Sequence, residues 1–191
     1  MSEFSKVVII SGASGSGKTT LAHHLLSCKD FNLKFSVSAC TRPKRDMEIQ
    51  GAHYIFLSIE QFKNKIKSND FLEWEEVYPN HFYGTLKSHT ISMLNLGKNI
   101  LFDVDVHGAM ALKKHFKNQA LSIFIQAPSE SIAKNRLLKR NTESSTQLEI
   151  RLNKMKEEIL VGKQMDYVVI NDNLNDSKHK VQELIKAFLK L

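Results

Sequence analysis

Apolar positions along this chain follow two rhythms. Short unbroken runs at Lys6–Ile10, Asn99–Phe102, Ala120–Ile125 and Tyr167–Ile170 predict buried strands, and Lys34–Val37 is a further extended run. Between them apolar residues recur three and four positions apart, as one helix face requires. Leu21, Leu25 and Leu26 share a face from Thr19 onward, and a helix is predicted after Asp103 to about Phe116. Glu130–Arg140, a stripe of Leu148, Leu152, Met155 and Ile159, and a last stripe of Val181, Leu184, Ile185, Phe188 and Leu189 predict three more. Asn141–Thr146, between two of these helices, is polar and helix-poor. Strands that alternate with helices predict a parallel α/β sheet with right-handed crossovers.

From about 38 to 97 the pattern changes. Aromatic-rich strands at His53–Phe56 and Phe71–Val77 flank one amphipathic helix that starts near Ser58. Ser58 and Gln61 have the spacing of a capping box, with Phe62 and Ile66 as the apolar stripe. This segment reads as a small α+β insertion in a parallel-sheet core formed by 1–37 and 98–191.

The 191 residues are 42% apolar and 25% charged, ordinary globular usage for one medium domain. The apolar runs are far shorter than a membrane span, and Met1–Lys6 lacks the features of a signal peptide. A cytoplasmic protein is expected, with Cys28 and Cys40 as reduced thiols. The eight histidines show no metal-ligand spacing. The net charge of +7 suits a polyphosphate ligand, a nucleic acid or an anionic surface, and does not choose among them.

The glycine loop chooses. Gly12-Ala13-Ser14-Gly15-Ser16-Gly17-Lys18-Thr19 fits G-x-x-x-x-G-K-[ST] in full, between a strand and a helix. The glycines let successive N–H groups face phosphate oxygens, and the helix start adds its positive pole. Lys18 supplies a cation and the Thr19 hydroxyl a ligand for Mg²⁺, while Thr20 extends the loop's ATP contacts. Asp103, closing the strand Asn99–Phe102, would hold Mg²⁺ partly through water, and Asp105 follows two positions on. Thr41-Arg42-Pro43-Lys44-Arg45 places two guanidinium forks near each other, the donor suited to a phosphate dianion.

With these motifs the chain resembles the guanylate kinase family from end to end. The resemblance rests on the glycine loop, Ser38-x-x-Thr41-Arg42 with Arg45, Gly51-x-x-Tyr54, Phe71-x-Glu73, Tyr83-Gly84-Thr85 and Asp103-Val104-Asp105. It implies a P-loop NTPase core, a GMP-binding lobe at 38–97 and a helical lid at about 136–151. It implies transfer of the γ-phosphoryl group of ATP to GMP with Mg²⁺ as cofactor. Arg42, Arg45, Tyr54 and Tyr83 would hold the GMP phosphate, with Asp105 also in the GMP site. Glu73, with Ser38 and Thr85, would read the base. Guanine offers two adjacent donors that a carboxylate can accept, and an acceptor that hydroxyls can serve, whereas adenine would leave buried groups unpaired. Arg136, Arg140 and Arg151 would close on the phosphates, and Asn171 matches a position near the adenine. Asn141 stands where the family usually has glycine, Ser145 and Thr146 replace part of an acidic lid sequence, and His107 stands where glutamine is common. The expected partners are ATP and GMP, with no nucleic acid or membrane, in a monomer or homodimer. Two other readings stay open: a related kinase acting on a sugar phosphate, and a non-catalytic binding module of the same build.

Overall fold

The computed structural model describes residues 5–138 and 145–191, with side chains described except at 78 and 145–153. Five parallel strands form the main sheet: β1 (Val7–Gly12), β2 (Leu33–Phe35), β7 (Asn99–Asp103), β8 (Ala120–Gln126) and β9 (Tyr167–Ile170). Their order is β2-β7-β1-β8-β9, which places β1 at the centre. Val7, Val8, Ile9 and Ile10 are each 0% exposed, which is why this strand reads as an unbroken apolar run. In register, Ile10 lies beside Asp103, so the end of β7 reaches the loop that follows β1.

Helices cover both faces of this sheet. One core joins Val7, Ile9 and Phe102 to α4 (Val106–Phe116) and to Met155 of α6 (Ser145–Gly162). The other joins Val8 and Ile10 to Leu21 and Leu25 of α1 (Lys18–Ser27) and to Val181 and Ile185 of α7 (Leu174–Leu189). The stripes expected for α1 and α7 therefore face the sheet, as do Met155 and Ile159 of the α6 stripe. α5 (Glu130–Leu138) carries Ala133 and Leu137 inward. The polar break expected at Asn141–Thr146 ends sooner than its composition suggests, because α6 already includes Ser145 and Thr146. Asn141 lies outside the described residues.

A second sheet has the order β4-β3-β6-β5, from β3 (Ala39–Cys40), β4 (Ile55–Phe56), β5 (Phe71–Tyr78) and β6 (His81–Leu86). It has its own core of Ala39, Phe62, Phe71, Phe82 and Leu86. Phe62 stacks between Phe71, with centroids 4.3 Å apart, and Phe82, at 5.4 Å. Phe62 belongs to α2 (Ile59–Lys67), whose N-terminus carries the predicted capping box: the Gln61 N–H donates to Ser58 Oγ, and the Ser58 N–H donates to the Gln61 side chain.

One helix was not expected. α3 (Lys87–Asn95) follows β6 directly, and its Leu94 enters the core of the main sheet beside Ile100 and Phe102. Only Thr90 and Leu94 are buried in it, too few apolar positions to draw a stripe in the sequence. Cys28 and Cys40 are free thiols, as expected. No helix among the described residues is long and apolar enough to cross a membrane.

Candidate active site

The carboxyl ends of β1 and β7 meet at the edge where the second sheet begins, and the candidate site is built there. The loop after β1 turns on Gly15, at φ +76°, and Gly17, at φ +87°, a region that side chains rarely adopt. A Cβ on Gly17 would also come within 2.4 Å of the Asn171 amide nitrogen. That nitrogen donates to Ser16 O at 2.7 Å, and Asn171 is 4% exposed. Asn171 O in turn accepts from Arg136 Nη2 at 3.0 Å. These two residues thus brace the loop from beneath. Asn171 and Arg136, expected near the adenine and over the phosphates, each keep one buried side-chain polar atom, Asn171 Oδ1 and Arg136 Nη1, without a hydrogen-bond partner among the described residues.

Lys18 opens α1. Its ammonium lies 2.6 Å from Asp103 Oδ1 and donates to Val104 O at 3.1 Å. The Asp–Val–Asp run closing β7 therefore presents its first carboxylate to the P-loop cation. Its second, Asp105, caps α4, accepting from the His107 and Gly108 N–H groups at 2.8 and 2.9 Å.

Two cavities flank this junction. The smaller, about 200 Å³, is walled by the loop residues Gly12, Ala13, Ser14, Gly15, Ser16, Gly17, Lys18 and Thr19, with Asp105 and Glu158. The larger, about 300 Å³, is lined by Lys18, Ser38, Tyr54, Glu73, Glu75, Val77, Tyr83, Gly84, Asp103, Val104 and Asp105. Lys18 and Asp105 belong to both walls.

Glu73 lies inside the larger cavity. Burial pushes its carboxyl up to about 7, with the nearby Asp105 and Glu75 carboxylates adding to the rise. The Thr85 hydroxyl, 1% exposed, donates to Glu73 Oε1 at 2.5 Å. Thr85, expected with Glu73 and Ser38 to read the base, lies in hydrogen-bond contact with Glu73 here. The N-terminal turn of α4 packs against the same carboxylate, since a Cβ on Gly108 would lie 2.9 Å from Glu73 Oε2. Ser38 lines this cavity with its hydroxyl uncommitted to Glu73.

Arg42 is anchored by a residue that the sequence reading missed. Glu48 holds its guanidinium through both oxygens, at 2.6 and 2.5 Å, and also accepts from the Arg45 N–H at 2.8 Å. These donors keep the Glu48 carboxyl at about 2. The guanidinium lies over Tyr54, 4.7 Å from the ring centroid, and Tyr54 meets Tyr83 edge to face at 6.1 Å. Arg45 is exposed on the same loop. A glutamate six positions after an arginine carries no local signal of pairing, because the loop between them makes the contact.

Glu75 and Lys154 are further additions. Lys154 Nζ of α6 lies 3.2 Å from Glu75 Oε1 of β5, tying the long helix to the second sheet. Arg140 lies outside the described residues, as does the side chain of Arg151.

For a divalent cation the relevant groups are the Thr19 hydroxyl and the Asp103 carboxylate, which share the lining of a further cavity. Both are hard oxygen donors, and no cluster of three or more metal-ligating His, Cys, Asp or Glu side chains occurs among the described residues. That donor set suits an ion held mainly by phosphate oxygens and water, as Mg²⁺ is.

The guanylate kinase family model matches residues 4–188. The guanylate kinase of Bacteroides fragilis is 44% identical over 184 residues, covering 96% of this chain and 90% of that protein. Guanylate kinases of Porphyromonas gingivalis, 41% identical over 96% of this chain and 98% of theirs, and of Thermotoga maritima, 38% identical over 95% and 86%, are similar along the same span. Among solved structures, a guanylate kinase from Anaplasma phagocytophilum shares the fold with a TM-score of 0.75 at 24% identity, covering 98% of this chain and 87% of that one. By the length of the match and the level of identity, this chain belongs to the guanylate kinase family.

Proposed function

We propose that this protein transfers the γ-phosphoryl group of ATP to GMP, giving ADP and GDP. The observation that carries the reading is the shared wall: Lys18 and Asp105 face both the glycine-loop cavity and the cavity holding Glu73. One chain thus brings a triphosphate cradle against a pocket suited to a purine. Phosphoryl transfer asks mainly for positioning and for neutralising charge on the moving group.

In this reading the amides of 12–19 hold the ATP phosphates, with Thr20 beside them. The Lys18 ammonium follows the charge of the transferring group, leaving or sharing its contact with Asp103. Arg42, held by Glu48, binds the GMP phosphate with Arg45, Tyr54 and Tyr83. Ionised Glu73 accepts the two adjacent guanine donors, Ser38 donates to the acceptor, and Thr85 and Asp105 fix the carboxylate field. Arg136, Arg140 and Arg151 close over the phosphates from the lid at about 136–151, and Asn171 lies near the adenine while its amide also supports the loop. Mg²⁺, held by Thr19 and partly through water by Asp103, supplies charge neutralisation on the phosphates when bound. The core comprises 1–37 and 98–191 and the acceptor lobe 38–97, with α3 packed on the core side. The enzyme works in the cytoplasm on ATP and GMP, without nucleic acid or membrane, as a monomer or homodimer.

A sugar-phosphate acceptor would leave Glu73 and Thr85 without a use, and a non-catalytic module would not need an intact Lys18. An ADP-release assay with ATP, Mg²⁺ and each of the four nucleoside monophosphates tests the reading. Activity with GMP at least about 10³-fold above AMP is expected; equal activity with AMP would reject the role of Glu73.

A further inference from the structure

The phosphate cradle has one wall that this mechanism leaves unused. Glu158 of α6 lines the smaller cavity together with the glycine loop. It is 9% exposed, and its Oε2 is buried with no hydrogen-bond partner among the described residues. A buried carboxylate without full partners is costly, so its position calls for a physical cause. The Lys154 and Lys18 cations and the Ser14 backbone N–H favour its charge, while burial and the Asp105 carboxylate oppose it and push its pKa up. Two of those favourable groups, the loop amide and Lys18, are the kind a glycine loop offers to phosphate oxygens.

We propose that Glu158 is a resident anion of the phosphate cradle: its carboxylate competes with the triphosphate for the Ser14 amide and the Lys18 cation, and ATP binding turns it out of the cavity. The proposal rests on the reading of this cavity as the ATP site. It makes Glu158 a positioning residue, acting through α6. Lys154, one helical turn earlier on that helix, is paired with Glu75 in the wall of the larger cavity. The returning carboxylate also weakens the hold on ADP, which favours product release.

The test is titration calorimetry of ATP and of ADP, with Mg²⁺, on the wild type and E158Q, alongside steady-state kinetics. The glutamine keeps the shape and removes the competing charge. The expected result is about fivefold tighter ATP and ADP binding, with kcat lowered severalfold as ADP release slows. A residue that only packs would give the opposite sign, weaker binding with kcat following it. Unchanged or weaker ATP binding in an E158Q protein with a wild-type circular dichroism spectrum overturns the proposal. If E158Q does not fold, E158D decides, because it keeps the charge but draws it back by one methylene. Tighter ATP binding of about twofold supports the proposal, and unchanged or weaker binding overturns it. Failure of both variants to fold also overturns it, by making the carboxylate a packing group. Wild type that binds no ATP would defeat the kinase reading itself, whereas wild type that binds ATP as E158Q does would defeat only the role of Glu158.

Discussion

The two sides of the cleft are built from different materials. The glycine-loop side is made of main chain: amides of 12–19, two left-handed glycines, and a buried asparagine bracing a carbonyl from below. The Glu73 side is made of side chains that hold one another: Thr85 on Glu73, Glu48 on Arg42, Tyr54 against Tyr83. Main-chain donors cannot be titrated and are rigid at no entropic cost during binding, so the first side suits the phosphates common to all nucleotides. Side-chain groups can be exchanged and protonated, so selectivity and pH dependence belong to the second.

The sharpest way to break this contrast is at Lys18, the cationic side chain of the first side. Lys18→Ala is expected to lower kcat about 10³-fold or more with an unchanged circular dichroism spectrum. Retained turnover would leave the loop's main chain sufficient by itself. Next in size, Glu73→Gln should lower kcat/KM for GMP about 10²-fold and leave the KM for ATP within about twofold, since only the base loses a partner.

The same residue gives the contrast a pH signature. Glu73 has its folded pKa raised to about 7 by burial, against an ordinary 4.5. Its ionised form is the one that accepts from guanine, so kcat/KM for GMP should fall about tenfold per pH unit below about 7, and the break should vanish in Glu73→Gln. For folding the sign is reversed from that of a paired carboxylate. Burial penalises the charged form, so this penalty is absent below the unfolded pKa and grows as pH rises through the folded one. Glu73→Gln should therefore gain stability relative to the wild type between about pH 5 and 8 by urea denaturation.

A smaller effect separates anchor from ligand. Glu48→Gln leaves Arg42 in place but loosens its fork, and should raise the KM for GMP about fivefold with kcat little changed. The least effect is local: Ser58→Ala removes one half of the α2 capping box and should cost about 1 kcal/mol, read by thermal denaturation, with the KM for ATP unaffected.

How much could be read from the sequence follows the same division. The glycine loop was legible because a backbone that must bend and approach phosphate leaves glycine at fixed spacing. Glu73, Arg42 and the tyrosines were legible through the motifs that carry the family resemblance. The stripes of α1 and α7 and the cap at Ser58 were legible because they depend on neighbours within a few positions. Glu48 and the hydrogen bond from Thr85 to Glu73 were missed because these pairings are set by a loop and a strand register, Glu73 beside Thr85 in the β5–β6 pair. Glu158 was hidden in the charged run from Lys154 to Glu158, which reads as a solvated face until the helix is laid against the glycine loop. α3 escaped for want of apolar positions, and the hydrogen bonds of Asn171 and Arg136, though not the residues themselves, because their partners are backbone carbonyls far away in sequence.

The ring stack of Phe62 between Phe71 and Phe82 has a mechanical corollary. It packs α2 onto the same hairpin that carries Glu73, Tyr83 and Thr85, in a cluster separate from those of the main sheet. Any change of angle between the two sheets would carry these groups together as one stiff paddle, their mutual spacings unaltered. The spacing of these base-reading groups would then be set before the cleft shuts, and the hinge would govern how Asp105 and the first turn of α4 meet them.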